Sequence, residues 1–118
     1  MKNFFTRKRG SKYNATKTTI NGIVFASKRE AARYQMLLLE LKAGKITDLE
    51  LQCKYELQPA FDKNGVHYRA IVYRADFTYK QAGKAVVEDV KGFKKDKVFL
   101  LKQKMFEYVY SNLELKIT

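Results

Sequence analysis

The sequence predicts one α/β (α+β) domain in which two amphipathic helices accompany a sheet of short strands. Its length of 118 residues is that of a single domain. Apolar residues recur at helical spacing in two segments, near 28–43 and after Asp96. Elsewhere apolar and polar residues alternate in short runs that end in turn-forming residues, which is typical of strands.

A basic arm over 1–17 is expected to precede the domain over 18–118. The first nineteen residues contain no acid and six cations, namely Lys2, Arg7, Lys8, Arg9, Lys12 and Lys17. Because a run of like charge stays unfolded and attracts polyanions, we expect this arm to bind phosphates. A merely solubilising tail is the alternative.

A hairpin and a helix are predicted to open the domain. Asn21-Gly22 lies between two apolar runs, and both residues tolerate the positive φ of a tight turn. Ser27 and Glu30 form a capping box for helix 1 over about 28–43, which Gly44 ends. The apolar stripe of this helix consists of Tyr34, Leu37, Leu38 and Leu41. On a helical wheel Glu30 falls on the same side, so a carboxylate heads the buried face.

A meander of strands is predicted to follow. The pieces 46–52 and 54–59 are extended, Pro59 marks a break, and a turn over 62–65 leads into a further run. Alternation over 71–79 predicts one shared face for Ile71, Tyr73, Ala75, Phe77 and Tyr79. After a turn at 81–84, the next strand presents Val87, Asp89 and Lys91 on one face and Val86, Glu88 and Val90 on the other.

A second helix and a last strand complete the prediction. Asp96 is the expected N-cap, and Asn112 the expected end. The apolar stripe of helix 2 consists of Val98, Leu101, Met105 and Val109. The run LELKI at 113–117 is the last strand.

Two aspartates are expected to face each other in the meander. If the turn at 81–84 is tight, residue 79 pairs with 86 and 77 with 88, which sets Asp76 opposite Asp89. Like charges directly opposite destabilise a sheet, and Mg²⁺, which prefers oxygen ligands, would remove the repulsion. Lys91 shares the face of Asp89 and would neutralise phosphate charge there. The alternatives are a salt bridge of Asp76 with Arg74 or Lys91, and a simply exposed Lys91.

The composition limits the classes of partner that the protein could bind and the types of side chain that could ligate a metal. Twenty-four Lys and Arg against twelve Asp and Glu leave a net charge of +12, which favours nucleic acid over membrane. No run of about 18 apolar residues could span a bilayer and no signal peptide is evident, so a cytoplasmic protein is expected. Cys53 and His67 are single, which excludes an internal disulfide and a zinc cluster. Any metal must therefore bind carboxylates.

The runs ADF at 75–77 and VVEDVKG at 86–92 resemble the PD-(D/E)XK nuclease superfamily, whose signature is an Asp on one strand and an acid-x-Lys triplet on the next. Asp89-Val90-Lys91 matches that triplet. Glu30 matches the glutamate that Holliday junction resolvases and transposase-type endonucleases place near the start of the preceding helix. Ala75 stands where Pro is common. The resemblance covers about residues 25–118, and the whole sequence also resembles small uncharacterised phage or prophage proteins.

This resemblance implies a restriction-endonuclease-like αβββαβ core with a mixed central sheet flanked by helices. It implies an Mg²⁺-dependent endodeoxyribonuclease, with Mn²⁺ as a substitute, that acts in phage or prophage DNA recombination, repair or processing. The expected metal ligands are Glu30, Asp76, Asp89 and the carbonyl of Val90, with Lys91 positioning the nucleophile. A homodimer and a nicking monomer are both compatible with it.

Further lysines are candidate DNA contacts, and several residues have plainer alternatives. Lys94, Lys95 and Lys97 follow the acid-x-Lys strand and would contact the DNA backbone. Lys102 on helix 2 either binds a phosphate or snorkels from the apolar stripe, and Gln103 is a weaker candidate. Glu30 has the capping box as its alternative role. Glu88 and His67 are expected to be structural or surface residues.

Two other functions remain open from the sequence. One is a nucleic-acid-binding protein, or a recombination or packaging accessory, that keeps a nuclease-like fold without cutting. The other is a basic structural protein of a virion or assembly. Structure-specific or weakly sequence-specific cutting is expected of a nuclease here, because no recognition helix or zinc module is available to read bases.

Overall fold

The computed structural model of the protein describes residues 17–91 and 96–118. The remaining segments contain several of the predicted phosphate contacts. Arg7, Lys8, Arg9, Lys12, Lys94 and Lys95 thus lie outside the described residues.

The described chain folds into a mixed sheet, two small hairpins and two helices. In chain order the elements are β1 (Thr18–Ile20), β2 (Ile23–Phe25), α1 (Lys28–Lys42), β3 (Thr47–Gln58), β4 (Phe61–Lys63), β5 (Val66–Tyr68), β6 (Ile71–Gln81), β7 (Lys84–Asp89), α2 (Lys97–Val109) and β8 (Glu114–Ile117). The central sheet has the strand order β3-β6-β7-β8, with β3, β6 and β7 antiparallel and β8 parallel to β7. A parallel neighbour requires a crossover, which α2 supplies. The predicted mixed α+β architecture is confirmed.

Neither helix in the described part of the chain is long and apolar enough to cross a membrane.

Helix α1 begins and ends where its capping residues predict. Ser27 Oγ accepts a hydrogen bond from the Glu30 backbone N–H at 3.1 Å, and Gly44 follows the helix with φ 80°. The buried face contains Glu30, Ala31, Tyr34 and Leu37. Leu41, predicted to belong to this face, is 38% exposed, because the last turn extends beyond the core.

Strand β3 is one continuous strand of twelve residues, and the prediction of two separate pieces was wrong. Asp48 and Gln52 both have φ 54°, in the left-handed region. The register with β6 shifts between Thr47 and Glu50, as a bulge would cause. The apolar residues Leu49, Leu51, Cys53, Tyr55 and Leu57 alternate with polar residues through both predicted pieces, so the sequence pattern is in fact that of one strand.

The predicted register of β6 with β7 is confirmed. Tyr79 pairs with Val86 and Phe77 with Glu88, across a tight turn at Ala82-Gly83. The β6–β7 ladder ends at the pair Phe77–Glu88. The prediction that Asp76 pairs with Asp89 was therefore wrong. Instead the side chain of Asp76 accepts a hydrogen bond from the backbone N–H of Val90, directly after β7.

The predicted single face of β6 was also wrong, because its apolar residues divide between two cores. Phe77 and Tyr79 pack with α1, whereas Tyr73 and Ala75 pack with α2. The change falls beside Gln52, which lies between the register pairs Leu51–Phe77 and Cys53–Ala75. We call β3 and β6 together the two-stranded ribbon. The left-handed backbone of Gln52 twists this ribbon, so its two halves face opposite helices.

Helix α2 buries a different stripe from the one predicted. Phe99 and Phe106 are buried, whereas Val98, Leu101 and Val109 are 62%, 59% and 45% exposed. The buried rings pack with an aromatic group consisting of Tyr55, Tyr73 and Tyr110. Burying the large rings removes the most apolar surface from water. The rings therefore determine which face of α2 is turned toward the sheet. Asp96 is the N-cap as predicted, and the helix ends at Val109 rather than Asn112.

Candidate functional site

Three carboxyl groups from three elements meet where the two-stranded ribbon turns. We call Glu30 on α1, Asp76 on β6 and Asp89 on β7 the carboxyl cluster. The charge of Asp89 acts on Glu30, and Asp76 and Asp89 each shift the pKa of the other. Glu30 is 8% and Asp89 3% exposed, whereas Asp76 is half-buried.

Gln52 joins two members of the cluster. Its Nε2 donates to Glu30 Oε2 at 3.3 Å and to Asp76 Oδ1 at 3.4 Å. The residue adopts φ 54°, which costs a non-glycine residue free energy. Gln52 was not identified from the sequence. A lone glutamine in a strand has no motif, and its left-handed backbone leaves no local signal.

Backbone and hydroxyl donors hold the remaining carboxyl oxygens. The Val90 N–H donates to Asp76 Oδ2 at 2.7 Å, which replaces the missing ladder pair. The buried hydroxyl of Tyr73 donates to Asp89 Oδ2 at 2.7 Å. Lys91 Nζ lies 3.9 Å from the same oxygen and 4.4 Å from the centroid of the Phe99 ring. The predicted grouping of Asp76, Asp89 and Lys91 thus has a geometric basis.

The cluster is electrostatically unfavourable when fully ionised. Burial raises the pKa of Glu30, and the negative charge of Asp89 adds to the rise. Burial likewise raises the pKa of Asp76. Burial and the hydrogen bond with Asp76 raise the pKa of Asp89 to about 7. The cluster therefore holds a proton to higher pH than free carboxyls do, and a bound cation would displace that proton.

The donor set of the cluster fits a hard dication by its chemistry. Carboxylate oxygens are the ligands that Mg²⁺ prefers, and the cluster offers three carboxyls near a single cation, Lys91. Glu30, Asp76 and Asp89 are the side chains that would hold the ion, with the Val90 carbonyl beside them. Within residues 17–91 and 96–118, no three His, Cys, Asp or Glu side chains already stand in a ligating arrangement. Ligation would therefore require the carboxyls to exchange their present hydrogen bonds.

A cleft of about 480 Å³ opens beside Asp89 and Lys91. Its other charged lining residues are Lys54, Arg74, Asp96 and Lys102. Four cations against two acids give it a positive balance. We call it the basic cleft. Glu30 and Asp76 instead line a second cavity of about 420 Å³ together with Gln52, so the cluster is open on two sides.

The lysines of α2 are placed differently from one another. Lys102 lines the basic cleft and is half-buried, in keeping with a phosphate contact. Lys97 is exposed at the first turn, and neither it nor Gln103 lines the cleft. Lys54 and Arg74, a register pair of β3 and β6, were not identified from the sequence as phosphate contacts. They are two of twenty-four cations, and only the sheet register brings them to the cleft.

Glu88, the neighbour of Asp89, has a structural environment. It is fully buried, and its carboxylate accepts hydrogen bonds from Arg33, the Tyr79 hydroxyl and the Thr118 hydroxyl. Burial alone would raise the pKa of Glu88, but the hydrogen bonds from Arg33, Tyr79 and Thr118 and the positive charge of Arg33 together more than offset it, and the pKa is lowered. His67 is exposed on β5 and contacts Asp62 at 2.8 Å, away from the residues that line the basic cleft.

Comparisons with known proteins give a family but no activity. Neither the search of curated proteins nor that of solved structures finds a match to the chain. One family model matches residues 10–118, which is nearly the whole sequence. The chain therefore belongs to the family described as protein of unknown function (DUF1064).

Proposed function

We propose that the protein is a metal-dependent endonuclease that hydrolyses phosphodiester bonds in DNA, built on a restriction-endonuclease-like core. The single observation that supports this most strongly is the carboxyl cluster next to Lys91. Three acids, two of them buried, repel one another there, and the near cation is Lys91, 3.9 Å from Asp89. A bound cation would offset this repulsion, which explains why the three acids are grouped.

The carboxyl cluster, Lys91 and the cations of the basic cleft have separate roles in this proposal. The cluster would hold Mg²⁺ or Mn²⁺, which lowers the pKa of water and screens phosphate charge when bound. The Lys91 ammonium, oriented by Asp89 and the Phe99 ring, would stabilise the charge that develops on the phosphate. Lys54, Arg74 and Lys102 would hold neighbouring phosphates of the same strand in the basic cleft. The water oxygen bonds to phosphorus and loses a proton to solvent, while the bond to the leaving sugar oxygen breaks and that oxygen takes up a proton from solvent.

The test is cleavage of supercoiled plasmid, branched DNA and single-stranded DNA in Mg²⁺, Mn²⁺ or EDTA. We expect nicking or cutting with either metal and none in EDTA. Asp89→Ala and Lys91→Ala should each lower the rate by about 10²-fold or more, as the loss of one charge-stabilising group does in other enzymes.

A matched control pair is present in the same sheet. Lys80 and Asp48 form an exposed ion pair with Nζ and Oδ2 3.7 Å apart, remote from the cleft lining. Asp48→Ala and Lys80→Ala should cut like the wild type. The proposal is wrong if the wild type cuts none of these substrates with either metal, or if the Asp89 and Lys91 variants cut as well as it does.

A nucleic-acid-binding protein without hydrolytic activity is the second candidate. The observation that favours it is that the carboxyl oxygens already accept hydrogen bonds from Gln52, Val90 and Tyr73. This candidate predicts DNA binding that is equal in EDTA and in Mg²⁺, with no product in either.

A further inference from the structure

The hairpin of β4 and β5 stands apart from both cores. It forms a two-stranded sheet of its own, with Phe61 opposite Tyr68 and a tight turn at Asn64-Gly65. Every residue from 61 to 69 is exposed, and none of them belongs to either hydrophobic cluster of the described chain. An isolated hairpin of this size has little stability of its own. Packing against the rest of the protein therefore does not explain which side chains the hairpin carries.

One face of the hairpin displays two stacked aromatic rings. The ring centroids of Phe61 and Tyr68 lie 4.8 Å apart with an interplanar angle of 13°, and the residues are 41% and 46% exposed. Val66, 49% exposed, shares this face by strand alternation. An exposed apolar group of this kind, outside any core, indicates a binding surface.

The charges of the hairpin favour an anionic partner on the aromatic side. Lys63 shares the face of Phe61, because they are two residues apart on β4. The one acid of the hairpin, Asp62, points to the opposite face, where it is paired with His67. Arg69 follows β5 directly. The aromatic face therefore combines exposed rings with positive charge.

The hairpin also lies next to the basic cleft along the chain. The ribbon of β3 and β6 connects them, since Gln58 pairs with Ile71 just before the hairpin and Lys54 pairs with Arg74 in the cleft wall. Four residues separate the two register positions on β3, which is about 13 Å in an extended strand. A few nucleotides of one strand could reach from the cleft to the rings.

We infer that the aromatic face of the hairpin binds unpaired bases of a nucleic acid whose phosphates occupy the basic cleft. Aromatic rings stack on bases of any sequence, but only where the base is free of its own duplex stack. The substrate class is thus DNA with single-stranded character, such as a flap, fork or gap. The inference rests on the proposed function for its biological meaning, and it makes a binding prediction that needs no cleavage.

The test is binding of the full chain in EDTA, where cutting is blocked, to a labelled single strand, a fork and a blunt duplex at fixed salt. Fluorescence anisotropy measures each Kd. Phe61→Ala and Tyr68→Ala should each weaken binding of the single strand and the fork by about fivefold or more, the usual effect of losing one stacking ring. Duplex affinity should change by less than about twofold, because it depends on phosphates. Tyr68→Phe should bind like the wild type.

Tyr108→Ala is the matched control, since Tyr108 is an aromatic residue of α2 that is 86% exposed. It should leave all three affinities unchanged. The inference is overturned if the hairpin variants leave single-strand binding intact, as a hairpin that docks a protein would, or if they weaken single strand and duplex equally. These results are separate from the plasmid assay: a protein that binds single strands through the hairpin but never cuts would refute the nuclease proposal alone.

Discussion

Asp89 bears much of the electrostatic cost of the carboxyl cluster. Burial and the contact with Asp76 raise its pKa to about 7, so the folded protein holds a proton there that the unfolded chain releases near pH 4. Over this range the folded state binds more protons than the unfolded state. The free energy of unfolding contributed by this residue therefore falls as pH rises from about 4 to about 7.

Asp89→Asn should remove that dependence. The amide stays neutral at every pH and its oxygen can still accept from Tyr73. We expect the variant to exceed the wild type in free energy of unfolding by about 4 kcal/mol at pH 8, since the pKa rises from about 4 in the unfolded chain to about 7, and to match it near pH 4. Urea denaturation in EDTA measures both. Asp48→Asn, at an exposed acid, should show no such pH-dependent gain, and equal stability of Asp89→Asn and wild type at pH 8 would contradict the prediction.

Gln52 combines a bridging side chain with a strained backbone. Gln52→Ala and Gln52→Gly both lose the amide that joins Glu30 to Asp76, but only glycine adopts φ 54° without cost. The glycine variant should therefore be the more stable of the two by about 1 kcal/mol.

The reverse order should hold at Lys54, two residues along the same strand, where the backbone is not left-handed. There alanine should be more stable than glycine by about 0.5 to 1 kcal/mol. Thermal denaturation of the four variants checks both orders, and a Gln52→Ala that matches Gln52→Gly would show that the backbone there relaxes freely.

At the scale of elements, the ion pair of Arg33 and Glu88 ties α1 to the middle of the sheet. Arg33 Nη2 lies 2.9 Å from Glu88 Oε1, and the carboxylate is fully buried. The lowered pKa of Glu88 means that its contribution to the free energy of unfolding is present above about pH 4.5 and is lost as pH falls.

Arg33→Met should leave that carboxylate buried without its cation. We expect a loss of about 3 kcal/mol in free energy of unfolding at pH 7, and a smaller loss near pH 4, where Glu88 can take up a proton. Arg29→Met is the control, because Arg29 is exposed on the same helix. A loss that is no larger than that of the control would mean that water reaches Glu88 and replaces the ion pair.

At the scale of the whole molecule, the net charge of +12 predicts salt-dependent binding of DNA, but the basic cleft predicts which cations matter. Lys54→Ala and Lys102→Ala should each reduce the slope of log K against log salt concentration by about 1. Lys80→Ala, with its lysine paired to Asp48 outside the cleft, should leave the slope unchanged. Titrations of a duplex at several salt concentrations measure the slope, and equal slopes for all three variants would indicate binding spread over the whole surface.

The sequence by itself determined the parts of the fold that depend on neighbouring residues. The caps at Ser27 and Asp96, the turns at Asn21-Gly22 and Ala82-Gly83, and the pairing of Tyr79 with Val86 involve residues close in the chain. The conformational preferences of these residues act over only a few positions of the chain. The sequence pattern therefore predicts these features. The same reasoning grouped Asp89, the last residue of β7, with Lys91, two residues further along the chain.

Only the tertiary structure decided which surfaces meet. Apolar residues occur on more than one side of α2, and packing against the tyrosines of the sheet selected Phe99 and Phe106 over Val98 and Leu101. Gln52 meets Glu30 across 22 residues of chain, a contact that exists only once β3 turns there and α1 packs on the sheet. Such contacts depend on helix rotation and strand twist, which the packing of all elements determines together and no short stretch of sequence encodes.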